Sequence, residues 1–341
     1  MQRAQARWSE KGSILLLVLW SLCLLGTFAL ILSYGVRQRL ALVGRLDERD
    51  QLHFIAEAGV KKAIAQLKNE ESKTYDALKD GWSNNPGAFK DIELGEGRFS
   101  VTYNYLNEQS GFLETGYGLV DEESKLNLNK AGLAALERIF KIAAGLNEVE
   151  AQELAASIVD WRDEDSALSI PWGSAEDSDY RDLAYPYEAK DADFEVLEEL
   201  LLVKGMTKES FEKLRPYVTI YGNGKVNVNT ASRVVLLALG FSDDLAEKIL
   251  SFRSGEDKVC GNADDNVFES ASELASKLAG PYRLNDSEIA QLNAISGQDL
   301  NTNSRNFMVR SVASLNNRKI TSEVVAVVSR EEGKVLSWQE S

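Results

Sequence analysis

The run Ile14 to Leu32, Ile-Leu-Leu-Leu-Val-Leu-Trp-Ser-Leu-Cys-Leu-Leu-Gly-Thr-Phe-Ala-Leu-Ile-Leu, carries no charge and follows closely on Arg3, Arg7 and Lys11. A helix of this length, rising about 1.5 Å per residue, spans roughly the 30 Å hydrocarbon core of a bilayer. The stretch reads as a membrane anchor. A cleavable secretory signal would have an apolar region of about 7–15 residues and then a small-residue cleavage site, and the sequence has neither. Glu10-Lys11-Gly12-Ser13 stands before the apolar run instead, and a glycine there, on the basic side, reads as a processing junction. Arg37, Arg39 and Arg45 follow the span almost as closely as the basic leader precedes it. Charge asymmetry therefore leaves the orientation open, and the leader reading places Met1 to Gly12 in the cytoplasm.

After the span no proline occurs before Pro86, and Leu46, Phe54, Ala56, Val60, Ala63, Ile64 and Leu67 recur at helical spacing. One helix is expected to run from the membrane into the body, with Ala56-Glu57-Ala58-Gly59-Val60 small enough for another element to approach. Phe99, Val101, Tyr103 and Tyr105 alternate with polar residues and predict one half-buried strand. A second is expected over Leu113 to Val120, ending in the acidic turn Asp121-Glu122-Glu123-Ser124. Three more, Phe307 to Leu315, Lys319 to Arg330 and Lys334 to Trp338, close the chain.

Between these strands the sequence repeats itself. Lys125-Leu126-Asn127-Leu128-Asn129-Lys130-Ala131 aligns with Lys225-Val226-Asn227-Val228-Asn229-Thr230-Ala231, Ile158 to Arg162 with Ile249 to Arg253, and Phe194 to Leu200 with Phe268 to Leu274. Each repeat is an extended lead, an Asn able to cap a helix, and helices joined by tight turns. The expected fold class is α+β: a long N-terminal helix packed on an antiparallel sheet, with an inserted helical domain of two helix-hairpin-helix-like repeats. The expected boundaries are a leader over 1–12, the anchor and helix over 13–70, the first part of the body over 71–124, the insert over 125–299 (repeats at about 125–222 and 225–299), and the last strands over 300–341.

Acidic residues gather on irregular segments: Asp160, Asp163, Glu164 and Asp165; Glu176, Asp177 and Asp179; and Glu256, Asp257, Asp264 and Asp265. Hard oxygen ligands in such number suit calcium. The EF-hand pattern fails, because Ala167 stands at the next alternate position and the required glycine is missing. Solvated acidic loops are the alternative. His53 is the single histidine, which excludes a histidine-based metal cluster. Asp163 with Asp165 has no supporting signature for a glycosidase pair, and with no nucleophile elbow, H-E-x-x-H or P-loop an enzyme is the less favoured class.

The helix-hairpin-helix likeness raises DNA binding, through Leu202 to Thr207 and Val228 to Ala231. Against it stand a net charge of -15 and the hairpin Gly240-Phe241-Ser242-Asp243-Asp244, which sets two carboxylates where a phosphate needs donors.

Taken together, the Gly12-Ser13 junction, the apolar helix, Asp160-Trp161-Arg162-Asp163-Glu164-Asp165, Glu199-Leu200 to Gly205 and the repeated Asn-x-Asn-x-Ala resemble the general secretion pathway protein K family, the large minor pseudopilins of type II secretion systems. The resemblance implies cleavage after Gly12 and N-methylation of Ser13 by a prepilin peptidase. It also implies a single-pass inner-membrane anchor with a periplasmic body, a calcium-binding insert, and assembly with minor pseudopilins I and J and the major pseudopilin. Calcium would then draw on Asp160, Asp163, Asp165, Glu176, Asp177, Asp179, Asp257, Asp264 and Asp265. Major pilin-like subunits carry a Glu at the fifth mature position, where it can neutralise a neighbour's N-terminal ammonium; here that position is Leu17, and the family's K subunit likewise lacks the Glu. The function implied is noncatalytic: priming and capping a pseudopilus that supports export of folded proteins across the outer membrane, with no nucleic acid bound. The alternative is a membrane-anchored DNA-binding protein of an uptake system.

Overall fold

A computed structural model of the chain describes residues 10–70, 74–106, 112–171, 173–181, 183–316 and 320–341. Helix α1 runs unbroken from Glu10 to Asn69. Its segment from Ile14 is, among the described residues, the one helix long and apolar enough to cross a membrane, and Ile14, Leu17, Trp20, Leu24 and Phe28 are exposed on it. Met1–Phe54 and Ile55–Ser341 are separate compact units, the division falling inside α1.

Within the second unit, the α1 residues Ile55, Ala56, Val60, Ala63 and Leu67 are buried. The spacing assigned Leu46 and Phe54 to this stripe, but both are exposed; the buried face turns through Ile55 instead. Five strands precede the repeats: β1 (Ile92–Leu94), β2 (Gly97–Val101), β3 (Tyr103–Leu106), β4 (Leu113–Gly116) and β5 (Val120–Asp121). The repeats contain β6 (Leu126–Asn127), β7 (Val218–Thr219) and β8 (Val226–Asn227), and end at β9 (Leu300–Asn301). β10 (Asn306–Leu315), β11 (Thr321–Ser329) and β12 (Lys334–Glu340) complete the chain.

The main sheet is antiparallel in the order β1-β2-β10-β11-β12, with β5 also paired to β10. Phe99, Val101, Val309, Ala313, Val324, Ala326 and Val328 alternate onto its buried face. α1 lies against that face, since a Cβ on Gly59 would overlap Ser311 of β10, and one on Gly97 would crowd Ile55. Each fully buried Val, Leu, Ile or Phe here stabilises the layer by about 1.5–3 kcal/mol.

The strand expected over Phe99 to Tyr105 is divided. β2 pairs with β10, whereas β3 pairs only with β4 as a separate hairpin. Alternation cannot show where a strand changes partner, because both halves keep a period of two. The segment Leu113 to Val120 is divided for the same reason, β4 going to the hairpin and β5 to the main sheet.

The chain leaves the sheet at β5 and returns at β10, so the helical block is an insertion into one sheet. Its helices are α3 (Leu133–Ile139), α4 (Glu148–Arg162), α5 (Asp177–Arg181), α6 (Lys208–Leu214), α7 (Arg233–Leu239), α8 (Asp243–Arg253), α9 (Leu274–Ala279) and α10 (Asp286–Ser296); a short α2 (Pro86–Phe89) lies in the body. One apolar core takes Leu136 and Ile139 from α3, Leu154 and Ile158 from α4, Val235 and Leu236 from α7, and Leu245 and Ile249 from α8. Insert and strand body fall in one compact unit.

Candidate functional site

The repeat seen in the sequence is a repeat of hydrogen bonds. β6 runs parallel to β7 and β8 parallel to β9, so each lead pairs with the segment that ends its own repeat. Asn129 receives the Phe194 amide on Oδ1 at 2.8 Å and donates Nδ2 to the Phe194 carbonyl at 3.0 Å. Asn229 does the same with Phe268, at 2.9 and 2.9 Å. Arg162 donates to the carbonyls of Leu128 and Ala131, and Arg253 to those of Val228 and Ala231. A side chain that both donates to and accepts from one backbone unit fixes it as a neighbouring strand would. The Asn residues do not cap helices as expected. Asn127 and Asn227 accept the amides of Asn129 and Asn229, and the N-caps of α3 and α7 are Gly132 and Ser232.

The first acidic segment lies at the C-terminal end of α4, which starts from a capping box between Asn147 and Glu150. Asp160, in its last turn, is fully buried and accepts the Ser169 amide at 3.0 and 3.2 Å, which folds the following loop back over the helix end. Asp163 is the C-cap residue, and Glu176 directly precedes α5. Asp163 Oδ1 and Glu176 Oε1 are buried with no hydrogen-bond partner among the described residues.

Burial pushes the Glu176 carboxyl up to about 7, and the charges of Asp160, Asp163 and Asp191 push in the same direction. Asp163 is raised for the same reasons, with Asp165, Asp160 and Asp191 as the charged neighbours. Carboxylates that repel one another and leave oxygens unpaired are the donor set a hard cation satisfies. Among the described residues no three His, Cys, Asp or Glu side chains converge to hold a metal ion.

Two expected ligands are drawn elsewhere. Asp177 pairs with Arg181 at 2.8 Å and accepts the Ala189 amide at 3.0 Å. Asp179 pairs with Lys204 at 2.7 Å and accepts the Glu176 amide at 3.2 Å, which holds its carboxyl below the usual range. Asp165 is exposed and accepts the Ala167 amide at 2.8 Å. Asp191 joins the cluster without having been expected there. Its amide donates to the Trp161 carbonyl at 3.0 Å, and its φ of 51° is a left-handed turn that Asp tolerates better than most residues. An Asp beside no apolar pattern gives little sequence signal of such a turn.

The second acidic loop is closed by its own backbone. Asp264 accepts the Glu256 and Asp257 amides at 2.9 and 3.2 Å, Asp257 accepts that of Val259 at 2.8 Å, and Asp265 that of Gly261 at 2.7 Å. Asp265 Oδ1 alone of these is buried and unpartnered, and Arg253 lies close enough to offset part of its upward shift.

The family model described as Type II secretion system (T2SS), protein K, matches residues 108–223. A type II secretion system protein K from Aeromonas hydrophila is 29% identical over 258 residues, which cover 72% of this chain and 76% of the relative. One from Pseudomonas aeruginosa is 28% identical over 232 residues, covering 65% and 66%. Both comparisons agree: this chain is similar to type II secretion system protein K.

A chain in the crystal structure of the GspK-GspI-GspJ complex from the enterotoxigenic Escherichia coli Type 2 Secretion System has the same fold as this one. The TM-score is 0.63 at 19% identity, over 88% of this chain and 99% of that one. The protein K family model stops at residue 223, so it takes in the first acidic segment and leaves Asp257 to Asp265 outside.

Proposed function

We propose that this protein is a noncatalytic minor pseudopilin that primes and caps the tip of a type II secretion pseudopilus. The observation that carries the reading is the topology: a helical insert as large as a domain interrupts the strand body between β5 and β10, behind an N-terminal helix with Leu17 at the pilin glutamate position. A subunit lacking that carboxylate has no means of pairing the ammonium of a subunit ahead of it, which suits the end of a filament. The likeness to the chain from the GspK-GspI-GspJ complex supports minor pseudopilins of the I and J types as partners, with the major pseudopilin below. The leader would be removed by prepilin peptidase between Gly12 and Ser13, leaving the body in the periplasm on an inner-membrane anchor.

Calcium belongs to the same reading. Asp163 and Glu176 would hold it through their unpaired oxygens, with Asp160 and Asp191 as the flanking charge. In the second loop a cation would have to replace the backbone bonds of Asp257, Asp264 and Asp265, so binding there is expected to be weaker. The test is deletion of the gene with complementation: secretion and pseudopilus initiation should both fail and be restored by the intact chain. Normal secretion and initiation without it would end the proposal. DNA binding, the other reading, predicts a gel shift at physiological salt, where the pseudopilin reading predicts none.

A further inference from the structure

The seam where the insert joins the strand body buries more acid than base. Asp76, Asp121, Glu122 and Glu123 are 1, 3, 4 and 4 % exposed. Two of them meet a cation: Lys125 lies 2.6 Å from Glu122, and Arg330 lies 2.6 Å from Asp76. Asp121 and Glu123 face neutral donors. Asp121 accepts from Asn227 and Thr230 of the insert at 3.1 and 2.5 Å, from Ser304 of the returning chain at 2.7 Å, and from the Glu123 amide at 2.8 Å. Glu123 accepts the backbone and side-chain amides of Asn306, both at 3.0 Å. Tyr221 lies close to Glu122 and Asp80 to Asp76, while the Arg305 backbone amide faces Glu123 and its side chain pairs with Glu331.

Two buried carboxylates so close in the chain, with no cation on either among the described residues, are relieved most directly by keeping a proton. We propose that Asp121 and Glu123 retain one proton between them at neutral pH and act as a latch that holds the helical insert on the strand body and weakens as the medium passes from mildly acid to mildly alkaline. The Asn306 amide can turn to present its oxygen to a protonated Glu123, since its two ends are alike in shape. Burial and the Asp121 charge draw Glu123 upward, to about 8. The folded protein therefore keeps a proton that the unfolded chain has released above the ordinary Glu range. Stability falls as pH rises from that range to about 8 and is level beyond.

The test uses full-length protein in detergent micelles, unfolded in urea from pH 5 to 9. One retained proton lowers the folding constant by up to tenfold per pH unit within the window. The ratio of wild-type to Glu123→Gln constants should carry that slope and flatten above about pH 8. Parallel profiles for the two proteins would overturn the latch. If the variant does not fold, carbon-13 NMR of Glu-labelled wild type decides: a carboxyl titrating near pH 8 supports the proposal, and the absence of any carboxyl titrating above about pH 7.5 refutes it.

Discussion

Asn229 and Phe268 exchange two hydrogen bonds, amide to Oδ1 and Nδ2 to carbonyl, each 2.9 Å long, across a span of sequence that covers α7 and α8. The same exchange between Asn129 and Phe194 sits on a less buried side chain. Losing a buried partner leaves backbone groups unsatisfied, at about 1–3 kcal/mol each. Asn229→Ala should therefore cost about 2–4 kcal/mol and Asn129→Ala about half as much, read as urea midpoints at constant m-value. Equal losses would show that burial does not separate the two repeats.

Gly59 touches Ser311 where α1 crosses β10, and the hydroxyl there has no hydrogen-bond partner among the described residues. Gly59→Ala should overpack this contact and destabilise by about 1–3 kcal/mol. Ser311→Gly removes the atoms in the way, so the double variant should recover part of the loss, a coupling that a double-mutant cycle measures. Purely additive effects would place the cost of Gly59→Ala elsewhere.

Without a cation, the raised Glu176 carboxyl makes stability fall as pH rises from about 4.5 to about 7, because the unfolded chain releases its proton first. Calcium needs the carboxylate, so it should raise the melting temperature more at pH 7.5 than at pH 5.5. Glu176→Gln should remove both the slope and most of the calcium response. A calcium shift independent of pH and of this variant would take the cation away from the first acidic segment.

Mass spectrometry of the mature N-terminus checks the leader reading. A chain beginning at methylated Ser13 is expected, and a functional chain retaining Met1 would contradict the pilin-like route.

Leu17→Glu places a carboxylate near the N-terminal edge of the apolar run, where it costs less than the value of about 2.5–3.5 kcal/mol at mid-bilayer. If the tip position depends on the missing charge, this variant should lower pseudopilus initiation more than Leu17→Gln does. Equal initiation by the two would remove the electrostatic argument for the tip.

The apolar helix, its continuation, the outer strands and the repeat were legible in the sequence, because each rests on local periodicity or on residue types that recur at fixed spacing. Asn129 and Asn229, Arg162 and Arg253, and Phe194 and Phe268 were legible as equivalent positions before their bonds were known. The tertiary structure alone decided that β2 and β3 belong to different sheets, since strand partners are not written in alternation. It also decided which acids lie close enough to feel one another's charge. Asp177 and Asp179 are taken by Arg181 and Lys204, and Asp191 arrives through a left-handed turn. Carboxylate chemistry depends on what surrounds the oxygen, and for Asp121 and Glu123 those surroundings come from residues about a hundred positions or more away. Distance along a chain carries no trace of such neighbours until the chain is folded.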